Sequence, residues 1–301
     1  MSLPYDIIIN MSISEKSFIE VEDTYKTEEL TEIFNQYGIH GLCIDIDNTI
    51  MKTGEYYDDN VFRVNQIIER EFFNNQKIGP YISKFVWEFY QKSGHQPIYI
   101  QDLYRIGVAR YLELQEADML NDMSINWDLE RARHLTIPKK IENLIEFEFR
   151  NFYLQVPDLK EDAEIFLRTI LSTGRKFVFN TNAQDDWTKR KVREVDRRIR
   201  FIAPYVATSI DSQKDYRSWL RSFQKLNEVS NSIFRICAEN VLVIGDNFTA
   251  DIYESMNAGY KNFVWLNKSI EEPFFRINKD GSLFIMSPNL LGITDVLTSS
   301  L

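Results

Sequence analysis

Cysteine, proline and glycine are all scarce in this sequence, with 2, 8 and 11 of each among 301 residues. The two cysteines, Cys43 and Cys237, make no CxxC pair and no disulfide framework. Buried, reduced thiols in a cytoplasmic protein are therefore expected. So few turn-formers exclude a low-complexity chain. No stretch reaches the roughly 18 uncharged apolar residues of a membrane span, and no membrane partner is expected. No basic segment leads into an apolar run at the start; residues 5–10 are too few and include Asp6, so no signal peptide is expected there. Positive charge is also in deficit: 35 Lys and Arg against 45 Asp and Glu leave a formal net charge of −10. That balance argues against nucleic acid as a partner, which is bound by neutralising phosphates. A small anionic substrate stays compatible, because local charge outweighs the total. The oligomeric state is not legible.

What the chain does have is apolar and aromatic mass. Hydrophobic residues make up 44% and aromatics 14%, including 21 Phe and 15 Tyr, enough for a ring-rich core. Short apolar runs recur at 41–44, 176–179, 205–207, 241–244 and 262–266. Runs this short and this apolar fit strands buried on both faces of a parallel sheet. They end near Asp45, Thr181, Ser209, Gly245-Asp246 and Leu266. Helical periodicity fills the intervals 160–172, 187–198, 216–228 and 250–257, with Gly174 and Gly259 at C-cap positions. Strand–helix alternation predicts a doubly wound α/β domain. Residues 57–155 break the rhythm. Helices are expected at 61–73, 81–90, 100–114 and 140–149, so a helical unit is inserted after the first strand. The expected division is residues 1–56 and 156–301 as one α/β core and 57–155 as the insert, with specificity carried by its 114–127 loops.

Carboxylates gather where such sheets bind ligands. Asp45-Ile46-Asp47-Asn48-Thr49 follows the first apolar run. Two acids two residues apart at a strand's carboxyl end can supply a nucleophile for phosphorus and a general acid/base, or simply form an acidic turn. Gly245-Asp246-Asn247-Phe248-Thr249-Ala250-Asp251 follows another run. Asp45 and Asp246 brought together suit Mg²⁺, which prefers oxygen ligands. Asp251 falls in the next helix's first turn, favouring its dipole or holding a lysine or a metal-bound water. Thr181 and Asn182, after the 176–179 run, could cradle a phosphate, and Lys214 could neutralise phosphoryl oxygens. Lys189 and Arg190 compete with Lys214 for that role but fall within a predicted helix. Arg105 and Arg110 could reach an anion from the insert. Tyr56, Tyr57, Tyr99 and Tyr104 could line a cleft.

Taken in order, Asp45-Ile46-Asp47-Asn48-Thr49, Thr181-Asn182, Lys214, and Gly245-Asp246 with Asp251 resemble the four motifs of the haloacid dehalogenase superfamily. The resemblance spans about residues 38–56 and 156–300, including a closing strand at 282–286 and helix at 290–297. It implies a Rossmann-like core with a C1-type helical cap, and a phosphatase using Mg²⁺ and an aspartyl-phosphate. Asp45 would be the nucleophile and Asp47 the general acid/base, its pKa raised by neighbouring acids. Thr181 and Lys214 would bind the phosphoryl group. Asp45, the Asp47 carbonyl and Asp246 would hold the metal, with Asp251 in support. The implied substrate is a small phosphorylated metabolite. A phosphomutase of the same fold, or an idle binding protein, are the alternatives.

Overall fold

The computed structural model describes residues 27–92, 98–120, 129–199, 205–207, 214–230 and 236–293. Seven strands form one sheet: β1 (Gly41–Asp45), β2 (Lys176–Thr181), β3 (Tyr205–Ala207), β4 (Val241–Gly245), β5 (Asn262–Leu266), β6 (Phe274–Ile277) and β7 (Leu283–Ser287). Their order is β3-β2-β1-β4-β5-β7-β6. All neighbours are parallel except the β6–β7 pair. The chain leaves β1 toward β2 and β3, then crosses back to β4 on the other side. The strand order therefore reverses between β1 and β4, and a crevice opens beyond their carboxyl ends.

Alternation along the strands explains the two buried faces. Leu42 and Ile44 of β1, with Leu242 and Ile244 of β4, join one apolar cluster. Cys43, Val241 and Val243 point the other way, into a second cluster built on Trp219 and Leu226. The first face is covered by α1 (Thr27–Gln36), α7 (Glu161–Ser172) and α8 (Asp185–Ile199), the second by α9 (Tyr216–Ser230). In α7, Ala163, Phe166, Leu167 and Ile170 recur at helical spacing on the buried face, and three acids occupy its first turn.

Between β1 and α7 lie five helices: α2 (Thr53–Phe72), α3 (Gly79–Lys92), α4 (Ile100–Glu116), α5 (Leu129–His134) and α6 (Lys139–Phe149). They pack round an apolar cluster of their own. Core helix α8 contributes Trp187 to that cluster, where its Nε1 donates to the Gln155 carbonyl at 2.9 Å. The stems of the insert are tied together: Lys52 N donates to Asp158 O and Lys160 N to Ile50 O, each at 2.9 Å. The helix α2 begins at Thr53, four residues before the expected insert boundary.

Two local expectations need correction. Cys43 is buried, but Cys237 is exposed, because it sits in the turn that leads to β4 rather than in a strand. A π-helical stretch, Phe248–Tyr253, precedes the short α10 (Glu254–Asn257). Ser209, loop residues 121–127 and the 294–297 part of the closing helix lie outside the described residues.

Candidate active site

Three acids converge at the crevice between β1 and β4. Asp45 ends β1, while Asp246 and Asp251 follow β4. One carboxylate oxygen from each lies within 4.8 Å of the others. Gly245 makes this approach possible, since a Cβ there would stand 2.2 Å from Asp251 Oδ2. Asp251 is held in place by the Asn247 N–H, which donates to its Oδ2 at 2.9 Å.

Lys214 stands between two of the acids. Its Nζ donates to Asp45 Oδ1 at 2.5 Å and to Asp251 Oδ1 at 2.6 Å, and it is 6% exposed. Burial opposes its charge, but Asp251 and Asp45 outweigh that and raise its pKa. Asp45 remains pushed well above the usual carboxylate range. Burial is the main cause and Lys214 opposes it, while Asp251, Asp246 and Asp47 add repulsion. Its second oxygen, Oδ2, is buried without a hydrogen-bond partner. Asp246 is pushed up to about 7, first by burial and then by Asp251. Its Oδ1 has only a long contact, 3.4 Å, from Thr49 Oγ1.

Mutually repelling carboxylates with an unbonded buried oxygen fit a hard divalent cation. Asp251 is the least available of the three, because Lys214 and Asn247 already occupy its oxygens. Asp45 Oδ2 and the Asp246 carboxylate are the open donors.

Asp47 behaves differently from the expectation. Its carboxylate accepts from Thr53 Oγ1 at 2.7 Å, from Thr181 Oγ1 at 2.8 Å and from Lys191 Nζ. Burial alone would raise its pKa, but the Lys191 charge and these hydrogen bonds hold it below the usual range. The expected rise from neighbouring acids is thus reversed by a cation that sequence reasoning passed over. Lys191 lies on α8, fully buried, with Nζ 3.5 Å from the centre of the Trp187 ring. Burial lowers its own pKa more than Asp47 raises it, because the lysine is the drier partner.

Of the other candidates, Thr181 is fully buried at the end of β2, and Asn182 is half-buried beside it. Arg105 is engaged inside the insert, donating to the Leu135 carbonyl at 2.7 Å, and Arg110 pairs with Glu113. Tyr56 donates to the Phe152 carbonyl at 2.7 Å and Tyr104 bonds Asn65, so both serve the insert's own packing. Tyr57 is also packed against the insert's core, while Tyr99 is largely exposed. Sequence reasoning missed Tyr90, on α3. Burial, together with the charges of Asp47, Asp246 and Asp45, pushes its phenol up to about 12.

No protein-family model and no curated protein matches the sequence. Solved structures do match in fold. A haloacid dehalogenase-like family hydrolase from Xanthomonas campestris superposes with a TM-score of 0.50 at 12% identity, over 78% of this chain and 84% of that one. A magnesium-bound HAD-hydrolase from Bacillus subtilis gives 0.48 at 15% identity, over 77% and 91%. A protein from Thermotoga maritima described as a β-phosphoglucomutase gives 0.48 at 15%, over 87% and 100%. The first of these carries the likeness of fold: a parallel α/β core of the haloacid dehalogenase type. No described helix is long and apolar enough to cross a membrane.

Proposed function

We propose that this chain, whose fold is that of the haloacid dehalogenase-like hydrolases, is a magnesium-dependent phosphatase that cleaves a small phosphomonoester through an aspartyl-phosphate. The observation that carries this reading is Asp45 Oδ2, a buried carboxylate oxygen with no hydrogen-bond partner, on an acid that Lys214 contacts and that clusters with Asp246 at the sheet's switch point.

In the first half-reaction a carboxylate oxygen of Asp45 attacks phosphorus, the P–O bond to the leaving group breaks, and Asp47 delivers a proton to the departing oxygen. In the second, water attacks the same phosphorus, its proton passes to Asp47, and inorganic phosphate leaves with Asp45 restored. The Thr181 hydroxyl and the Lys214 ammonium hold phosphoryl oxygens, with Asn182 beside them. As it stands, Asp47 is in the carboxylate form that the second half requires. A phosphate dianion arriving beside it raises its proton affinity by like-charge repulsion, which favours the acid form that the first half requires. Asp45, Asp246 and the main-chain carbonyl of Asp47 would hold Mg²⁺, with Asp251 fixing Lys214 in support. When bound, the cation offsets the charge of the acids and of the phosphoryl oxygens. The helical insert serves as a cap that excludes water and selects the leaving group.

The test is hydrolysis of p-nitrophenyl phosphate with and without Mg²⁺, alongside Asp45→Asn. The expected result is metal-dependent release of p-nitrophenol, lost in a variant whose circular dichroism matches the parent. A folded Asp45→Asn protein that keeps the parent's rate would remove Asp45 as nucleophile.

A further inference from the structure

A cavity of about 400 Å³ opens beside Asp246, between the stems of the insert and the loop after β5. That is the size of a small-molecule site. Lysines reach it from three places: Lys52 on the outgoing stem, Lys160 on the returning stem and Lys268 after β5. The paired stems hold the first two side by side. None of the three has a carboxylate within ion-pair distance among the described residues. The Lys160 ammonium donates instead to the Asn48 carbonyl. Burial lowers its pKa most, Asp162 opposes this, the Lys268 charge adds to the lowering, and Asp246 and Asp45 oppose it further.

Acids also line the cavity. Glu55 and Asp58 face it from α2; both are exposed, as is Lys268, whereas Lys52 and Lys160 are half-buried. Water and salt screen these three exposed charges, and the two inner lysines less so. Asp246 is the remaining acid, and in the reading above it belongs to the metal. The inner wall therefore carries two half-buried lysines that make no ion pair among the described residues, and it borders Asp246 of the acid cluster.

We infer that this cavity receives a second anionic group on the leaving group, so that the substrate is a phosphomonoester carrying a further phosphate or carboxylate. The inference rests on the phosphatase reading for the position of the first phosphate. Two lysines on paired stems and a third across the cavity suit an oxyanion with several acceptor oxygens.

The experiment compares kcat/KM for fructose 1,6-bisphosphate against fructose 6-phosphate, and for 3-phosphoglycerate against glycerol 3-phosphate. At least one member with the second anion should exceed its partner by about tenfold, the smaller effect of one charge-assisted hydrogen bond. Whichever pair responds tells phosphate from carboxylate. In Lys52→Met and Lys268→Met that ratio should fall toward one. Ratios near one in the parent, or ratios unchanged in both variants, overturn the subsite; continued hydrolysis of p-nitrophenyl phosphate would then leave the phosphatase reading standing. If the folded protein hydrolyses nothing, that reading fails by itself. Calorimetric binding of fructose 1,6-bisphosphate then decides the subsite: binding weakened about tenfold in the lysine variants upholds it, and no binding, or equal binding, overturns it.

Discussion

Replacing Lys191 by Met removes a buried cation while keeping an unbranched side chain against Trp187. In the parent the ammonium contacts Asp47 and lies 3.5 Å from the centre of the Trp187 ring. Removing one partner of a buried ion pair costs about 3–5 kcal/mol when the other charge is left dry. Here Asp47 is not dry: its side chain is 27% exposed and keeps two hydroxyl donors, at 2.7 and 2.8 Å. The wholly buried lysine also bears a desolvation cost that the methionine does not. The loss should therefore be smaller, about 2 kcal/mol, or about 5 °C in Tm for a chain of this size. The double variant Lys191→Met, Asp47→Asn removes the stranded charge as well and should regain about half of that loss. Differential scanning calorimetry at pH 7 reads both. Asp47 has a lowered pKa in the folded protein, so its pairing contributes in full above the ordinary carboxylate range and is lost as pH falls below it. The gap between parent and Lys191→Met should accordingly narrow below about pH 4. A double variant less stable than Lys191→Met, or a Lys191→Met protein melting with the parent, would refute the claim that Lys191 holds Asp47 as a charged pair.

Three further outcomes follow from the same geometry. Gly245→Ala places a Cβ 2.2 Å from Asp251 Oδ2, so Asp251 must move and release Lys214; kcat should fall at least about a hundredfold, and a parent-like kcat would show that the loop yields without disturbing the site. Asp246 and Asp45 have raised pKa values, the former to about 7, so the folded protein holds protons that the unfolded chain has given up. Without metal, stability should decline as pH rises from about 4.5 to about 7, and Mg²⁺ should reverse the decline at neutral pH; melting curves with a flat pH profile and no response to Mg²⁺ would contradict the acid cluster as a cation site. The Tyr90 phenol, pushed up to about 12 by burial and by the charges of the acids, stays a proton donor at neutral pH. Tyr90→Phe should lower kcat/KM for the preferred phosphomonoester by about tenfold, and an unchanged value would remove Tyr90 from the substrate's surroundings.

Much of the architecture was legible because it follows from strand ends. The fully buried β1 and β4 read as unbroken apolar runs, and the acids after them fall at the strand ends where the crevice opens. β6 was not legible for the opposite reason. It is an antiparallel edge strand of four residues, Phe274–Ile277, none of them fully buried, so it leaves no apolar run. The insert's helices were visible in their periodicity, but α5 spans only six residues, too few to show a period.

Lys191 is the more instructive omission. The α8 sequence, DDWTKRKVREVDRRI, is so rich in charge that a lysine within it looks solvated. Yet its buried positions are Trp187, Thr188, Lys191, Val192, Val195 and Ile199, a regular stripe in which Lys191 occupies a core position. A lysine in the apolar stripe of a helix is rarely buried without a partner. The helix begins four residues after Thr181, so its first turns stand beside the carboxyl end of β2, next to β1 and its acids. The stripe and the topology together point Lys191 at the Asp45–Asp47 turn. The pairing that holds Asp47 as a carboxylate was therefore written in the sequence as the phase of a helix, and not as a motif.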